Sequence, residues 1–391
     1  MDEFENIRPY HDGEVREVVE RIVNHPDLAK AAAKLLLPGI LRGTTVGEWV
    51  TNLLLRVKTR DLDTVDACQT VIADYFANLV EETTVALTHS GIENLTPGQP
   101  YLFTSNHRDI VMDSSLINYL IHNHGHETCR MAVGDNLLTH DLAADLMKLN
   151  KSFVVDRSAR GTRAGYRVLA RTSAYIKHSI DEGVSVWNAQ REGRAKDGYD
   201  RTDPALLKML SLAHRDKAAL NKSDGDPLRS MIEAYQLVPV SVSYELDPCA
   251  LAKAHELFVT ATEGCYAKSA EEDVESIITG LVGMKGRVHV HFSAPVEPRA
   301  FESPDELAEH IDRSIVGGLK VFPTHVAAAK EMGMEEIEPA QVPEQADVMA
   351  LFEAERDRCP ESERPFWLEQ YGNLIKNRLA CGVVGVNPSD R

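Results

Sequence analysis

From Gly91 onward the chain alternates short β-rich runs with helical stretches, and no other feature of the sequence constrains its architecture as much. The β-rich runs occupy residues 101–105, 130–133, 152–155, 185–187, 237–244 and 288–292. Between them, helical patterning covers 114–121, 164–180 and 204–214. Strands that alternate with helices bury their apolar faces by layering, so the expected fold class is α/β, a mixed sheet flanked by helices.

The residues before Gly91 read differently. Val15, Val18, Val19, Ile22 and Val23 repeat at helical spacing, as do Cys68, Val71, Ile72, Tyr75, Phe76 and Leu79. Between them Pro26 and Asp27 supply a break and an N-cap for a helix over 28–37, which Pro38-Gly39 ends. A small N-terminal helical domain over 1–90 is therefore expected, followed by the α/β domain over 91–330. Residues 331–391 are acidic and proline-containing at first, then helical around 348–358, and read as a surface linker, a helix and a C-terminal tail.

Composition narrows the function classes. The net charge of −18 over 391 residues argues against duplex nucleic acid, whose phosphate backbone needs a basic face. The six cysteines are scattered without a C-x-x-C pair, so free thiols in a reducing compartment are expected and no metal site is assigned. Met1-Asp2-Glu3-Phe4-Glu5 lacks the basic region and apolar stretch of a signal peptide, and no apolar run is long enough to span a membrane. A cytoplasmic protein, or one on the cytoplasmic side of a membrane, is the reading.

The chemistry is concentrated in Ser105-Asn106-His107-Arg108-Asp109-Ile110-Val111-Met112-Asp113, which leaves a strand and runs into a helix. Strand ends in α/β sheets are where sites are built. A histidine followed closely by acids in such a turn can serve as a base whose second nitrogen is held by a carboxylate. His-Arg-Asp also occurs in protein-kinase catalytic loops, but those need an Asn five residues after the Asp. Here that position is Ser114, and no glycine-rich phosphate loop or Asp-Phe-Gly is present. Two basic runs stand out in the acidic chain: Arg157, Arg160, Arg163, Arg167 and Arg171, then Arg191, Arg194 and Lys196. Arginine's planar fork matches phosphate oxygens in pairs, so arginines beside a base suggest a phosphorylated substrate. His122, His124 and His126 surround Gly125 and read as a loop rather than a metal site. His289 and His291 share one strand face, read as half-exposed.

Four ordered blocks resemble the glycerol-phosphate and lysophosphatidate acyltransferase family. They are Asn106-His107-Arg108 with a downstream Asp, Lys151 to Arg157, Gln190-Arg191-Glu192-Gly193-Arg194, and Val238-Pro239-Val240-Ser241-Val242-Ser243-Tyr244-Glu245. The resemblance implies an enzyme that moves a fatty acyl group from acyl-CoA or acyl carrier protein to a hydroxyl of glycerol 3-phosphate or lysophosphatidate, without a cofactor. It implies His107 as base with Asp113 as its orienting acid. Arg157, Glu192, Gly193, Arg194 and Lys196 would bind the phosphorylated glycerol acceptor. Two departures from the family pattern matter. Arg194 follows Glu192-Gly193 directly, and five residues rather than four separate His107 from Asp113, which on a regular helix turns the carboxylate by ~100°. Asp109 is the alternative orienting acid. A thioesterase-like hydrolase and a non-catalytic lipid-binding protein on the same fold are the competing readings.

Between Lys30 and Arg60 six basic residues (Lys30, Lys34, Arg42, Arg56, Lys58, Arg60) stand against one acid, Glu48. They interleave with Leu35, Leu36, Leu37, Ile40, Leu41, Trp49, Val50, Leu53, Leu54 and Leu55. Apolar residues, a Trp and flanking cations suit an interfacial helix on an anionic membrane surface; a core helix pair with solvated cations is the alternative.

Overall fold

The computed structural model describes residues 3–28, 44–138, 140–156, 163–215, 226–269, 271–299 and 301–383, apart from the side chains at 45–48, 50, 163 and 164. The helix expected over 28–37 and the side chains of Lys30, Lys34, Arg42, Arg157 and Arg160 lie outside these residues. The described chain is α/β and forms two compact units, Met1–Phe76 with Arg130–Val168, and Ala77–Cys129 with Leu169–Arg391.

The first unit is more than an N-terminal helical domain. The valines at helical spacing in Asp12–Val23 are buried with Val65, Cys68 and Leu149, the last contributed by helix Asp141–Leu149. Arg21 anchors the same contact, donating from Nε to Asp145 at 2.6 Å, while the Tyr10 hydroxyl donates to Asp145 at 2.7 Å. That helix joins β3 (Arg130–Gly134) to β4 (Ser152–Val155), a parallel pair in register Met131↔Ser152 to Gly134↔Val155. The Val154 N–H donates to the Ile7 carbonyl at 2.9 Å, so the start of the chain is fastened to β4. The boundary expected near residue 90 is thus replaced by a discontinuous unit, because the apolar face of the first helix is satisfied by residues some 130 positions further on.

The second unit is built on β1 (Ala86–Ser90), β2 (Leu102–Ser105), β5 (Val186–Ala189), β6 (Val238–Tyr244) and β7 (Arg287–Phe292), ordered β1-β7-β6-β2-β5. Only β6 and β7 run antiparallel; the β1–β7, β6–β2 and β2–β5 pairs are parallel. All seven residues of β6 are buried, as befits a central strand covered on both faces. The parallel β2, β5 and β6 bring their C-terminal ends to one edge, where the residues of interest lie.

Residues 331–347 are exposed or half-buried apart from Glu338, as a surface linker would be, but the helices that follow belong to this unit's core and are not a tail. Helices Ala346–Arg358 and Arg364–Ala380 bury Phe352, Trp367 and Tyr371 against Leu246, Ala250 and Ala254. Glu338, within the stretch read as an acidic linker, is buried and accepts from Arg378 Nε at 2.6 Å. Arg378 is fully buried, and its Nη1 also donates to the carbonyls of Val316, Gly317 and Leu319 at 2.9, 3.0 and 2.8 Å. It thereby caps the C-terminal end of helix Pro304–Gly318, whose last carbonyls have no partner within the helix.

Arg378→Ala leaves Glu338 charged and unpaired in the interior. Breaking a buried pair from one side costs about 3–5 kcal/mol, so urea unfolding should show a loss of that order. A loss below about 1 kcal/mol, the range of an exposed pair, would mean that the pair is not buried in solution.

Candidate active site

The turn that carries His107 is shaped before the histidine is reached. Beyond the β2–β6 pairing Ser105↔Val240, the Asn106 side chain extends the ladder. Its amide donates to the Val242 carbonyl at 2.9 Å and its oxygen accepts from the Val242 N–H at 2.8 Å. Trp187 on β5 donates from Nε1 to Ser105 Oγ at 3.0 Å and sets its ring edge-on to His107, 5.9 Å between centroids. On the other side, the His107 carbonyl accepts from the Ala195 N–H at 2.8 Å, which ties the third block to the first.

Asp113 lies in the first turn of helix Met112–Asn123 and is completely buried. Its Oδ2 stands 2.8 Å from His107 Nδ1 and accepts from the N–H groups of Arg108 at 2.7 Å and Asp109 at 2.9 Å. Its Oδ1 accepts from the Tyr244 hydroxyl at 2.7 Å. The five-residue spacing does not prevent the contact, since residues 106–111 are not helical and only Met112 precedes Asp113 within the helix. Burial, the largest influence on this carboxyl, opposes its ionisation. The bonds from His107, Tyr244 and the backbone outweigh it and hold the pKa below the ordinary carboxylate value. An ionised Asp113 can only accept, so Nδ1 of His107 carries a proton, and it is the Nε2 of the neutral ring that offers a lone pair.

Asp109 is occupied otherwise. Its Oδ1 accepts from the N–H groups of Val111 at 3.0 Å and Met112 at 2.9 Å, capping the helix that carries Asp113. Burial and then the neighbouring Asp113 push its pKa up. A Cβ at Gly280 would come within 2.1 Å of Asp109 Oδ2, so helix Glu272–Val282 is seated on this carboxyl through a glycine. Arg108 points inward as well, donating to Asp200 at 2.5 Å and to the carbonyls of Gly198 and Gln370 at 3.2 and 3.4 Å. The buried Lys253 ammonium donates to the Arg108 carbonyl at 2.7 Å and pairs with Asp247.

The other expected residues are distributed unevenly. Arg194 is buried; its Nη2 donates to Ser276 Oγ at 3.4 Å, and among the described residues its Nη1 has no partner. The fully buried Gln190 amide likewise lacks one. Glu192 and Gly193 are exposed, with Gly193 in the left-handed region at φ 76°. Lys196 pairs with Glu256, and burial leads the influences that lower its pKa. Arg157 lies outside the described residues. Of the remaining histidines, His289 is buried rather than half-exposed. Thr88 Oγ1 lies 2.9 Å from its Nδ1 and Ser90 Oγ lies 3.0 Å from its Nε2, and burial lowers its pKa to about 3.

Tyr244, Trp187, Asp200 and Lys253 were not singled out from sequence. Tyr244 alone carried a signal: it shares a strand face with Val238, Val240 and Val242, where a hydroxyl needs a partner when buried.

The family model described as Acyltransferase matches residues 86–194. No curated protein sequence matches the chain. Among solved structures, the 1-acyl-sn-glycerophosphate acyltransferase PlsC of Thermotoga maritima is 15% identical at a TM-score of 0.39, with 74% of this chain and 92% of that chain covered. The signal recognition particle receptor FtsY of Elizabethkingia anophelis is also 15% identical, at a TM-score of 0.21, with 79% and 93% covered. At such TM-scores neither likeness bears on the reaction.

The two aspartates differ in how they should affect stability with pH. The folded pKa of Asp113 is depressed, so its contribution is present above its unfolded pKa of about 3.9 and is lost as pH falls through the folded value. Asp113→Asn should therefore be markedly less stable than the parent in urea at about pH 7, with the deficit narrowing below about pH 4. The folded pKa of Asp109 is raised, so its charge opposes folding above the unfolded pKa. Asp109→Asn should show no deficit that narrows on acidification. Equal deficits for Asp113→Asn at both pH values would contradict the assignment of a stabilising carboxylate.

Proposed function

We propose, on the match of residues 86–194 to the family model described as Acyltransferase, that the protein moves a fatty acyl group from a thioester donor to a hydroxyl of a phosphorylated glycerol. The observation that carries the reading is the His107–Asp113 contact, with Nε2 of His107 left to take a proton. A neutral alcohol is a weak nucleophile near neutral pH, so a base within reach of its proton is what the step requires.

In the proposed step, His107 Nε2 removes the hydroxyl proton as the oxygen attacks the thioester carbonyl. The C–O bond forms, the C–S bond breaks, and the thiolate leaves with the proton returned from the imidazolium. Asp113 fixes the tautomer and stabilises the imidazolium. The N–H groups of Arg108 and Asp109 are engaged with Asp113, and those of Val111 and Met112 with Asp109. These four amides are therefore poor oxyanion donors, and other N–H groups have to serve.

Arg194, buried with a free Nη1 among the described residues, is the best supported contact for the acceptor's phosphate. Arg157, Glu192, Gly193 and Lys196 are proposed alongside it on the resemblance. The donor is acyl-CoA or acyl carrier protein, and glycerol 3-phosphate and lysophosphatidate are the proposed acceptors.

We also propose peripheral contact with an anionic membrane on the cytoplasmic side. No helix among the described residues is long and apolar enough to cross a membrane. On helix Thr45–Thr59, however, Trp49 and Val57 are 66% and 67% exposed, Leu53 and Leu54 about half, and Arg56 and Lys58 close the last turn. An exposed Trp and three aliphatic residues beside cations fit the headgroup boundary.

Three measurements follow from this reading. His107→Ala should lose ~10²–10⁴-fold in turnover while the protein stays folded by circular dichroism, and retention of a tenth of the activity would remove His107 from the step. Arg194→Ala should raise the acceptor's apparent KM roughly tenfold or more while sparing that of the donor, as loss of a charge-assisted bond of about 1.5–3 kcal/mol implies. Co-sedimentation with anionic vesicles should be salt-sensitive and should fall when Trp49 and Leu53 are both replaced by Ser; no binding at low salt would overturn the membrane assignment.

A further inference from the structure

A second constellation lies in the first unit and uses none of the residues assigned to acyl transfer. His25 follows helix Asp12–Val23, Asp27 lies in the helical stretch that begins at Pro26, and His140 is the residue that precedes helix Asp141–Leu149. Asp27 Oδ2 lies 3.9 Å from His25 Nδ1 and 3.7 Å from His140 Nε2. The two imidazole centroids are 5.4 Å apart, with the rings inclined at 57°. Each side chain brings one ligand atom, and these atoms all lie within 4.8 Å of one another.

We infer that His25, Asp27 and His140 form a binding site for a divalent transition-metal ion of the zinc class. Two imidazoles and a carboxylate are a zinc, cobalt or nickel donor set; calcium and magnesium take oxygen ligands instead. A tetrahedral ion with bonds of about 2.0–2.1 Å places its ligand atoms roughly 3.3–3.5 Å apart. The separations to Asp27 of 3.7 and 3.9 Å therefore need to close by a few tenths of an ångström, and the two imidazole nitrogens, like all the ligand atoms within 4.8 Å of one another, by at most about 1.5 Å. Asp27 is 55% and His140 48% exposed, so the side chains can make that adjustment and water can complete the coordination. Nδ1 of His25 otherwise receives a hydrogen bond of 3.3 Å from the Asp27 N–H, at the long end of the range and readily exchanged for a metal bond.

The site's position gives it a mechanical consequence. Arg21 and Tyr10 already fasten the first helix region to Asp145. A bound ion would join the end of helix Asp12–Val23 to the start of helix Asp141–Leu149 a second time, across more than 110 residues of chain. A ligand that binds only the folded state stabilises it by mass action. Zinc should therefore raise the melting temperature as well as bind.

The test uses the full chain stripped with a chelator and titrated with Zn²⁺ by calorimetry, then with Co²⁺ by visible absorption. The site predicts one saturable equivalent, intense Co²⁺ ligand-field bands and a higher melting temperature with Zn²⁺. His25→Ala and His140→Ala should each weaken binding roughly tenfold or more, while His122→Ala, in the last turn of helix Met112–Asn123, should not. Absence of saturable binding to the parent protein would overturn the inference. So would an equivalent of metal that survives the joint His25→Ala and His140→Ala substitution.

Discussion

The carboxylate of Asp113 accepts four hydrogen bonds in a fully buried position, from His107, the Arg108 and Asp109 backbone and the Tyr244 hydroxyl. Each donor comes with a structural commitment. The two backbone donors fold residues 106–111 back over the start of the helix, and Tyr244 ties that helix to the end of β6. Asn106 ties the preceding residue to β6 as well. Removing a charged buried acceptor would leave several donors unsatisfied together, which is why one side chain governs both the shape of the turn and the tautomer of its histidine. Asp109 supports the arrangement from outside by capping the same helix and seating Gly280.

Much of this arrangement is written locally and could be read. The six β-rich runs correspond to β2 through β7, with ends displaced by a residue or two. The strand end, the histidine and the two nearby acids are contiguous. What spacing alone could not decide was which acid meets His107, because a helical reading of 108–113 turns Asp113 away. The answer depends on where the helix starts, at Met112, and that depends on Asp109 as its cap. Tyr244 was beyond reach for another reason: it is 131 residues from the carboxylate it touches.

Distance along the chain also explains the larger differences. The strand Ala86–Ser90 was absorbed into the helical reading of the first ninety residues; its short, histidine-bearing sequence shows little of the alternation that marks a strand. The division at residue 90 missed that helix Asp12–Val23 needs Leu149 and Asp145 to satisfy its apolar face and its arginine. The acidic stretch after Glu331 looked solvated because acids normally are. Glu338 departs from that rule only because Arg378 is buried beside it and spends its other donors on the end of a helix. In each case local composition gave the commoner answer, and a single distant partner reversed it.

The proposed transfer of an acyl group to a glycerol hydroxyl is decided by the identity of the product. The purified protein would be given isotopically labelled acyl-CoA, or the acyl carrier protein thioester, with glycerol 3-phosphate or lysophosphatidate, and the products resolved by mass spectrometry. A transferase should yield a labelled ester of one of these acceptors, formed in step with release of the thiol carrier and absent when the acceptor is omitted. Release of labelled free fatty acid at the same rate with and without acceptor would contradict it and identify a hydrolase.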